Sequence, residues 1–361
     1  MRKTRTEYGS NADGAIVRSA LVLAVIISVL LIVTMTYLVI TKISGTAKVP
    51  DDDTPVEDGA NNDTENEGND STPSVKSPFK TTVENFYPAY APDDQLTNLA
   101  DAGLNSPNVA LVDVSSNTII ASSKSKVQIY PASLTKVMTL IVVYENLTSE
   151  SQLKDKLTLE AEVVDKMVAE RSSGYGFRTG DVLTVEELIY AVILYSDGTA
   201  CLTLANYIAG SEANFVKLMN DKATEMGLQN TLFQNSTGLH HVYHYSTCQD
   251  LAAIMMYAMK NPHCANVLTA QSYTFGSHFR PNSDGQKYTM YNQSLHTSKF
   301  TQPNTVKVTA AKTGYTDESG YCFVSYGKAK DGKTYILVTA GAPTVALRNQ
   351  DTVTIYDKYK K

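Results

Sequence analysis

Ser133-Leu-Thr-Lys136 sets a hydroxyl and an amine three residues apart. On a helix that spacing puts both side chains on one face. A serine in the first helical turn also has its backbone N–H near the positive end of the helix, ready to hold an oxyanion. A lysine buried beside other cations loses its proton more easily and can then act as base toward the hydroxyl. The spacing alone is weak, because four more Ser-x-x-Lys runs occur, at Ser77–Lys80, Ser123–Lys126, Ser151–Lys154 and Ser325–Lys328. Only the run at 133 opens an apolar helix behind Pro131-Ala132.

Two further tripeptides carry chemistry. Lys312-Thr313-Gly314 occurs once, at the end of a predicted strand. There a strand edge can pair with an extended peptide backbone. Gly314 allows close approach, while Lys312 and Thr313 can engage a carboxylate. An ordinary strand-to-turn junction explains the same three residues in isolation. Ser196-Asp197-Gly198 lies between two predicted helices, where a plain inter-helix turn accounts for Asp-Gly. His240, His241 and His244 cluster in a loop containing Gly and Asn, and no Glu completes a hydrolytic zinc motif. Neither a metal nor another cofactor is expected.

The elements that must position these groups follow from pattern. Asn108–Val114 and Thr118–Ser122 read as strands joined at Ser115-Ser116-Asn117. Helical patterns run from about Ser133 to Asn146 and from Thr184 to Tyr195, the latter opening on a Thr184/Glu187 capping box. Others span Ser211 to Met226, ending at Gly227, and Cys248 to Lys260, stopped before Pro262. Runs rich in β-formers appear at Thr305–Thr313, Gly320–Ser325 and Thr334–Ala340, with a final helix after Thr344. Two strands at the front, three at the back and helices between predict one sheet assembled from both ends of the domain, an α/β sandwich with a helical insertion.

The order Ser-x-x-Lys, Ser-x-x, Lys-Thr-Gly is the pattern of penicillin-binding proteins and class A β-lactamases. The surrounding text resembles more narrowly the low-molecular-mass D-alanyl-D-alanine carboxypeptidases (penicillin-binding proteins of the serine peptidase S11 type). The matching stretches are Tyr130-PASLTKVMT, Gly180-DVLTVEELIYAVILYSDGTA, Phe233-QNSTGLHHVYHYSTCQDLA and Ala311-KTGYTDESGYCFV, within roughly 85 to 345. The resemblance implies an antiparallel five-stranded sheet flanked by helices. It implies that Ser133 attacks the carbonyl between two D-alanines of a peptidoglycan stem peptide while Lys136 takes its proton. Ser196 would relay a proton to the leaving nitrogen. Backbone N–H groups of Ser133 and Tyr315 would form the oxyanion hole, and Lys312 and Thr313 would hold the terminal carboxylate. Water then releases the acyl-enzyme, and β-lactams would acylate the same serine as slowly released covalent inhibitors.

The chain departs from that family twice. The middle motif normally reads Ser-x-Asn, whereas position 198 is Gly. That asparagine helps hold the substrate's peptide and the motif lysine, and losing one such hydrogen bond costs about 1–3 kcal/mol, roughly ten- to a hundredfold in rate. Asp197 or a water is the candidate to compensate. Many members also carry a β-rich domain after the catalytic one. About twenty residues follow here, so that domain is expected to be absent and the anchor to sit at the N-terminus. Two other readings stand beside the carboxypeptidase. A class A-like β-lactamase would need a deacylating glutamate some 35 residues past the middle motif, yet no glutamate lies between Glu225 and Glu318. A catalytically weak peptidoglycan-binding homologue would explain Gly198, but Ser133, Lys136, Ser196 and Lys312 are intact. Arg348 is a candidate to help bind the substrate carboxylate, but the resemblance there is thin and it is left outside the site.

Composition bounds the setting. Residues 19–41 carry no charge and, as a helix, would span roughly 35 Å at about 1.5 Å per residue, enough to cross a bilayer. Arg2, Lys3, Arg5 and Arg18 precede them, which puts residues 1–18 in the cytoplasm and the bulk outside, on the extracytoplasmic face. Gly45-Thr46-Ala47 resembles a signal-peptide cleavage site, but the apolar run is long for one, which favours an uncleaved anchor. Residues 42–78, holding nine acids and no base between 51 and 70, read as a self-repelling disordered linker to a catalytic domain at 79–361. From residue 71 onward the chain is close to neutral, which offers no footprint for nucleic acid. Cys201, Cys248, Cys264 and Cys322 lack a CxxC spacing; three full pairings are open, and free buried thiols are expected.

Overall fold

Residues 77–276, 287–296 and 300–360 are described by the computed structural model. The expected cytoplasmic stretch 1–18, the membrane segment 19–41 and all but the last two residues of the 42–78 linker lie outside them. Among the described residues no helix is long and apolar enough to cross a membrane.

The chain opens with β1 (Ala89–Tyr90), β2 (Thr97–Asn98), β3 (Asn108–Asp113) and β4 (Thr118–Ser123). Helix α1 (Lys136–Asn146) follows a 3₁₀ turn at Ala132–Thr135. Strands β5 (Lys156–Thr158) and β6 (Val182–Thr184) pair with each other around α2 (Ala161–Ala169). Helices α3 (Val185–Leu194), α4 (Gly198–Ala209), α5 (Glu212–Glu225), α6 (Cys248–Lys260) and α7 (Pro262–Thr269) come next. A hairpin-like pair, β7 (Ser272–Phe275) and β8 (Tyr288–Tyr291), leads to β9 (Val306–Thr316), β10 (Gly320–Ala329), β11 (Thr334–Ala342) and α8 (Val345–Tyr359).

The main sheet runs β1-β4-β3-β11-β10-β9, with β2 also on β4. Its two ends do come from the two ends of the domain, joined where β11 pairs antiparallel with β3. The expected five antiparallel strands are present, but the sheet has seven: β1 and β2 add to β4 in parallel. Two-residue strands leave no periodicity in a sequence; they exist only because β4 offers them a hydrogen-bonding edge.

Alternation along β3 divides the core. Ala110 and Val112 face the helices, whereas Val109 and Leu111 face α8, where Ile355 and Tyr356 cover them. With both faces covered, β3 is buried at every position. Helix α1 is likewise apolar all round and buried from Lys136 to Tyr144, as a helix enclosed by others must be. Its first residue is therefore a lysine deep in the protein. Phe79 closes one end of this core against Tyr144 and His263.

Local signals set the helix ends. Thr184 and Glu187 form the expected capping box at α3. Pro262 does end α6, but it also starts α7, because Asn261 accepts from the N–H groups of His263 and Cys264. The four cysteines are free and buried.

Asp351 fastens α8 to the sheet. Buried, it accepts from the Ser106 N–H and hydroxyl at 2.7 Å each and from the Asn105 N–H at 3.1 Å. Removing the carboxylate strands those donors out of reach of water. Asp351→Ala is expected to lower unfolding free energy by about 2–4 kcal/mol in urea titrations of the purified protein.

Candidate active site

The 3₁₀ turn ahead of α1 holds Ser133 with its neighbour Ala132 in the left-handed region, φ 48°. Ser196, between α3 and α4, lies there too, φ 59°. A non-glycine residue in that region costs about 1–3 kcal/mol, so the surroundings must impose it. Around Ala132 two glycines do so. A Cβ on Gly238, itself at φ 81°, would sit 1.9 Å from the Ala132 carbonyl oxygen. A Cβ on Gly314 of β9 would sit 3.0 Å from the Ser133 nitrogen. Both backbones press on the serine turn, and any side chain there would push it away.

Ser133, Ser196, Thr313, Gly314, Tyr315 and Arg348 line one cleft of about 220 Å³. Lys136 and Lys312 lie beneath it, both fully buried. The Lys136 Nζ donates to Ser133 Oγ at 3.1 Å and to the Thr237 carbonyl at 2.6 Å. The Lys312 Nζ donates to Ser196 Oγ at 2.9 Å and to the Thr313 carbonyl at 2.8 Å. Burial pushes the Lys136 amine below the ordinary lysine value. Burial first, and then the charge of Lys136, push Lys312 well below it. Burial thus disfavours the charged form of the amine next to Ser133, and at Lys312 the charge of Lys136 adds to the effect.

All seven residues expected from sequence are brought together. Asp197 is not the compensating group: its carboxylate turns away from the cleft, accepting from Ala200 N at 2.8 Å and Tyr175 N at 2.7 Å. It is the N-cap of α4, so Asp-Gly starts a helix where a plain turn is expected. The reason is tertiary, since half of the cap's hydrogen bonding comes from residue 175. Burial raises the Asp197 carboxyl to about 6.

Three groups escape a reading of the sequence. The Thr237 carbonyl holds the Lys136 amine, and a backbone oxygen leaves no trace in a sequence. Asn235 shapes that turn by accepting from the N–H groups of Thr237 and Gly238. His244 donates from Nε2 to Thr135 Oγ1 at 2.9 Å, since its Nδ1 accepts from Gln234 N. Arg348, left outside the site by the sequence reading, does line the cleft. Buried over the Phe323 ring, its Nε has no hydrogen-bond partner, and burial lowers its guanidinium to about 10. Its Nη2 donates to Asn349 Oδ1 at 2.7 Å, which leaves Nε as the unsatisfied donor of a cation at the cleft wall, where an anion can meet it.

A serine beside a buried lysine, with a second serine–lysine pair in the same cleft of a helix-flanked sheet, defines an active-site-serine class of the Ser-x-x-Lys kind. A family model described as D-alanyl-D-alanine carboxypeptidase (Peptidase_S11) matches residues 96–344. The chain belongs to that family. It is 31% identical over 250 residues to the Bacillus subtilis D-alanyl-D-alanine carboxypeptidase DacF, covering 69% of this chain and 61% of that one. It is 31% identical over 242 residues to the Escherichia coli carboxypeptidase DacC, covering 66% and 57%. The matches thus span somewhat over half the length of these curated relatives. Among solved structures, the Streptomyces K15 DD-transpeptidase superposes with a TM-score of 0.62 at 26% identity, covering 70% of this chain and 95% of that one. Penicillin binding protein 5 of Haemophilus influenzae gives 0.61 at 26% identity, covering 70% of each.

Burial, with His241 and Lys136 nearby, holds His244 down at about 3. Below the ordinary value of 6.5 the unfolded chain takes up a proton that folded His244 refuses. Its stabilisation is therefore full above pH 6.5 and is lost as pH falls toward about 3. Asp197 works oppositely: between about 6 and 3.8 the folded state binds the proton first, so acidification there favours folding. In His244→Gln, the stability lost between pH 6.5 and 4 should shrink by about 2–3 kcal/mol relative to the parent, read by urea unfolding at several pH values.

Proposed function

We propose that this protein is a serine-type D-Ala-D-Ala carboxypeptidase that removes the terminal D-alanine from peptidoglycan stem peptides through an acyl-enzyme. The observation that carries the reading is Ser133 Oγ at 3.1 Å from the amine of a fully buried Lys136. Unprotonated, that amine accepts the serine proton as Ser133 attacks the carbonyl between the two D-alanines. The oxyanion forms between the N–H groups of Ser133 and Tyr315, which the close passage of β9 past the serine turn supports. Ser196, held by Lys312, passes a proton to the leaving nitrogen. The departing carboxylate lies against Thr313, Lys312 and Arg348. Its charge would favour the protonated form of Lys312 that burial disfavours.

Water then frees the acyl-enzyme. No carboxylate is among the described residues lining the cleft, so a β-lactam acyl group is released slowly and the β-lactamase reading loses support. Intact pairs at Ser133–Lys136 and Ser196–Lys312 weigh against a binding protein without turnover.

Residues 19–41 act as a single-pass anchor, and 42–78 as a tether that carries the catalytic region on the extracytoplasmic side. The uncharged run and the arginines before it support this. Protease added outside intact cells should digest the catalytic region and spare an N-terminal membrane fragment; a protected catalytic region would refute the orientation.

Activity is tested on a peptide ending in D-Ala-D-Ala. The parent should release D-alanine and form a stable benzylpenicillin adduct, while Ser133→Ala does neither. The rate should fall on acidification, because protonated Lys136 cannot accept the serine proton. Adding an amine acceptor separates hydrolysis from transpeptidation. A folded parent that binds penicillin covalently yet releases no D-alanine would sink the carboxypeptidase assignment.

A further inference from the structure

Asn108 begins β3 opposite Ala340 of β11 and is only 9% exposed. Its Oδ1 has no hydrogen-bond partner, and among the described residues nothing accepts from its Nδ2. Buried amides are nearly always hydrogen-bonded, so one left open at both ends calls for a partner that the chain does not supply. Held by no hydrogen bond, the amide can turn about χ2 to present either end. It lines a cavity of about 430 Å³, within the range of small-ligand sites. Gly341 lines it too and has no side chain to cover the amide: a Cβ there would come 3.8 Å from Asn108 Nδ2. Gln128, Tyr130, Tyr245 and the exposed Val242 complete the wall. Among the described residues the Gln128 amide and both tyrosine hydroxyls make no hydrogen bond. No lysine or arginine lines the cavity, and its charged group is Glu318. Amides, hydroxyls, aromatic rings and one carboxylate suit a neutral ligand rich in hydroxyl and amide groups, and they disfavour an anion.

One strand end leads from the catalytic cleft to this cavity. The cleft is lined by Thr313, Gly314 and Tyr315. A second hollow, of about 740 Å³, shares Tyr315 and continues over Thr316, Asp317 and Glu318. The Asn108 cavity shares Glu318 and adds Ser319. The three hollows therefore follow one another along the end of β9 and its turn into β10. From Thr313 to Glu318 the chain advances at most about 17 Å, a span that an extended stem of about five residues matches. A substrate with its scissile bond at Ser133 thus has the sugar that carries its stem within reach of Asn108.

We propose that the cavity at Asn108 is a glycan subsite: it holds the N-acetylhexosamine to which the stem is attached, with the Asn108 amide paired to the acetamido group and Tyr245 against the sugar ring. An acetamido group offers one N–H and one carbonyl, the complement of an asparagine amide. The Gln128 amide and the Glu318 carboxylate meet the sugar's hydroxyls. The inference rests on the carboxypeptidase reading above and narrows its substrate class, since stems attached to glycan are then preferred to free peptides.

The test gives the full chain in detergent two substrates. One is a free peptide ending in D-Ala-D-Ala; the other is the same peptide attached to an N-acetylglucosamine–N-acetylmuramic acid disaccharide. The kcat/KM for D-alanine release is expected to be about ten- to a hundredfold higher for the second. Asn108→Leu, close to asparagine in volume, should reduce that ratio about tenfold, and Gln128→Ala about threefold. Neither should lower the melting temperature, because neither amide has a partner in the chain to lose. The proposal is overturned if the parent's ratio is below about threefold, or if both variants keep the parent's ratio. Should Asn108→Leu not fold, Gln128→Ala decides it. A parent that releases no D-alanine from either substrate refutes the carboxypeptidase reading, and binding of the stem-free disaccharide, followed by calorimetry, then decides the cavity. Saturable binding that Asn108→Leu or Gln128→Ala weakens supports the subsite; no binding, or binding that neither weakens, overturns it.

Discussion

Two amines enclosed in one cleft govern much of this structure. Lys136 is buried because it begins a helix covered on all sides, and Lys312 because it lies on the buried face of β9. Moving an ammonium into such surroundings is costly unless it is paired, and no carboxylate hydrogen-bonds either lysine among the described contacts. Each amine instead meets a serine hydroxyl and a backbone carbonyl. Burial shifts both amines toward the neutral form, in which a lysine can accept a proton. The core that stabilises the domain is also what lowers the proton affinity of the two amines.

Backbone crowding fixes the rest of the site. Ala132 is held at positive φ because Gly238 approaches its carbonyl and Gly314 approaches the following nitrogen. Three segments far apart in sequence, around 132, 238 and 314, meet without an intervening side chain. Their approach brings the Ser133 N–H against β9, and the strain at Ala132 goes with that close backbone packing. His244 reinforces the arrangement from below by donating to Thr135 on the serine turn.

The middle motif shows how such a site tolerates change. Its serine is held by Lys312 and its aspartate caps α4, while Ser172 occupies the space that a side chain at Gly198 would need. Arg348 reaches the cleft from a helix past the end of the sheet.

The sequence by itself determined what local spacing determines. Ser133 and Lys136 share a face because they are three apart, Thr184 and Glu187 cap a helix for the same reason, and the long strands announce themselves by β-forming runs. It also placed Lys312-Thr313-Gly314 on a strand, and the order of the motifs pointed to the family. Tertiary structure alone decided the features made by residues distant in the chain. These include the two short parallel strands on β4, the Asp197 cap completed by Tyr175, the Thr237 carbonyl on Lys136, and Ser172 over Gly198. None has a periodicity or a residue type that would reveal it. Each arises where packing brings an unpaired backbone group or an empty Cβ position against a segment whose own sequence gives no hint of that neighbour.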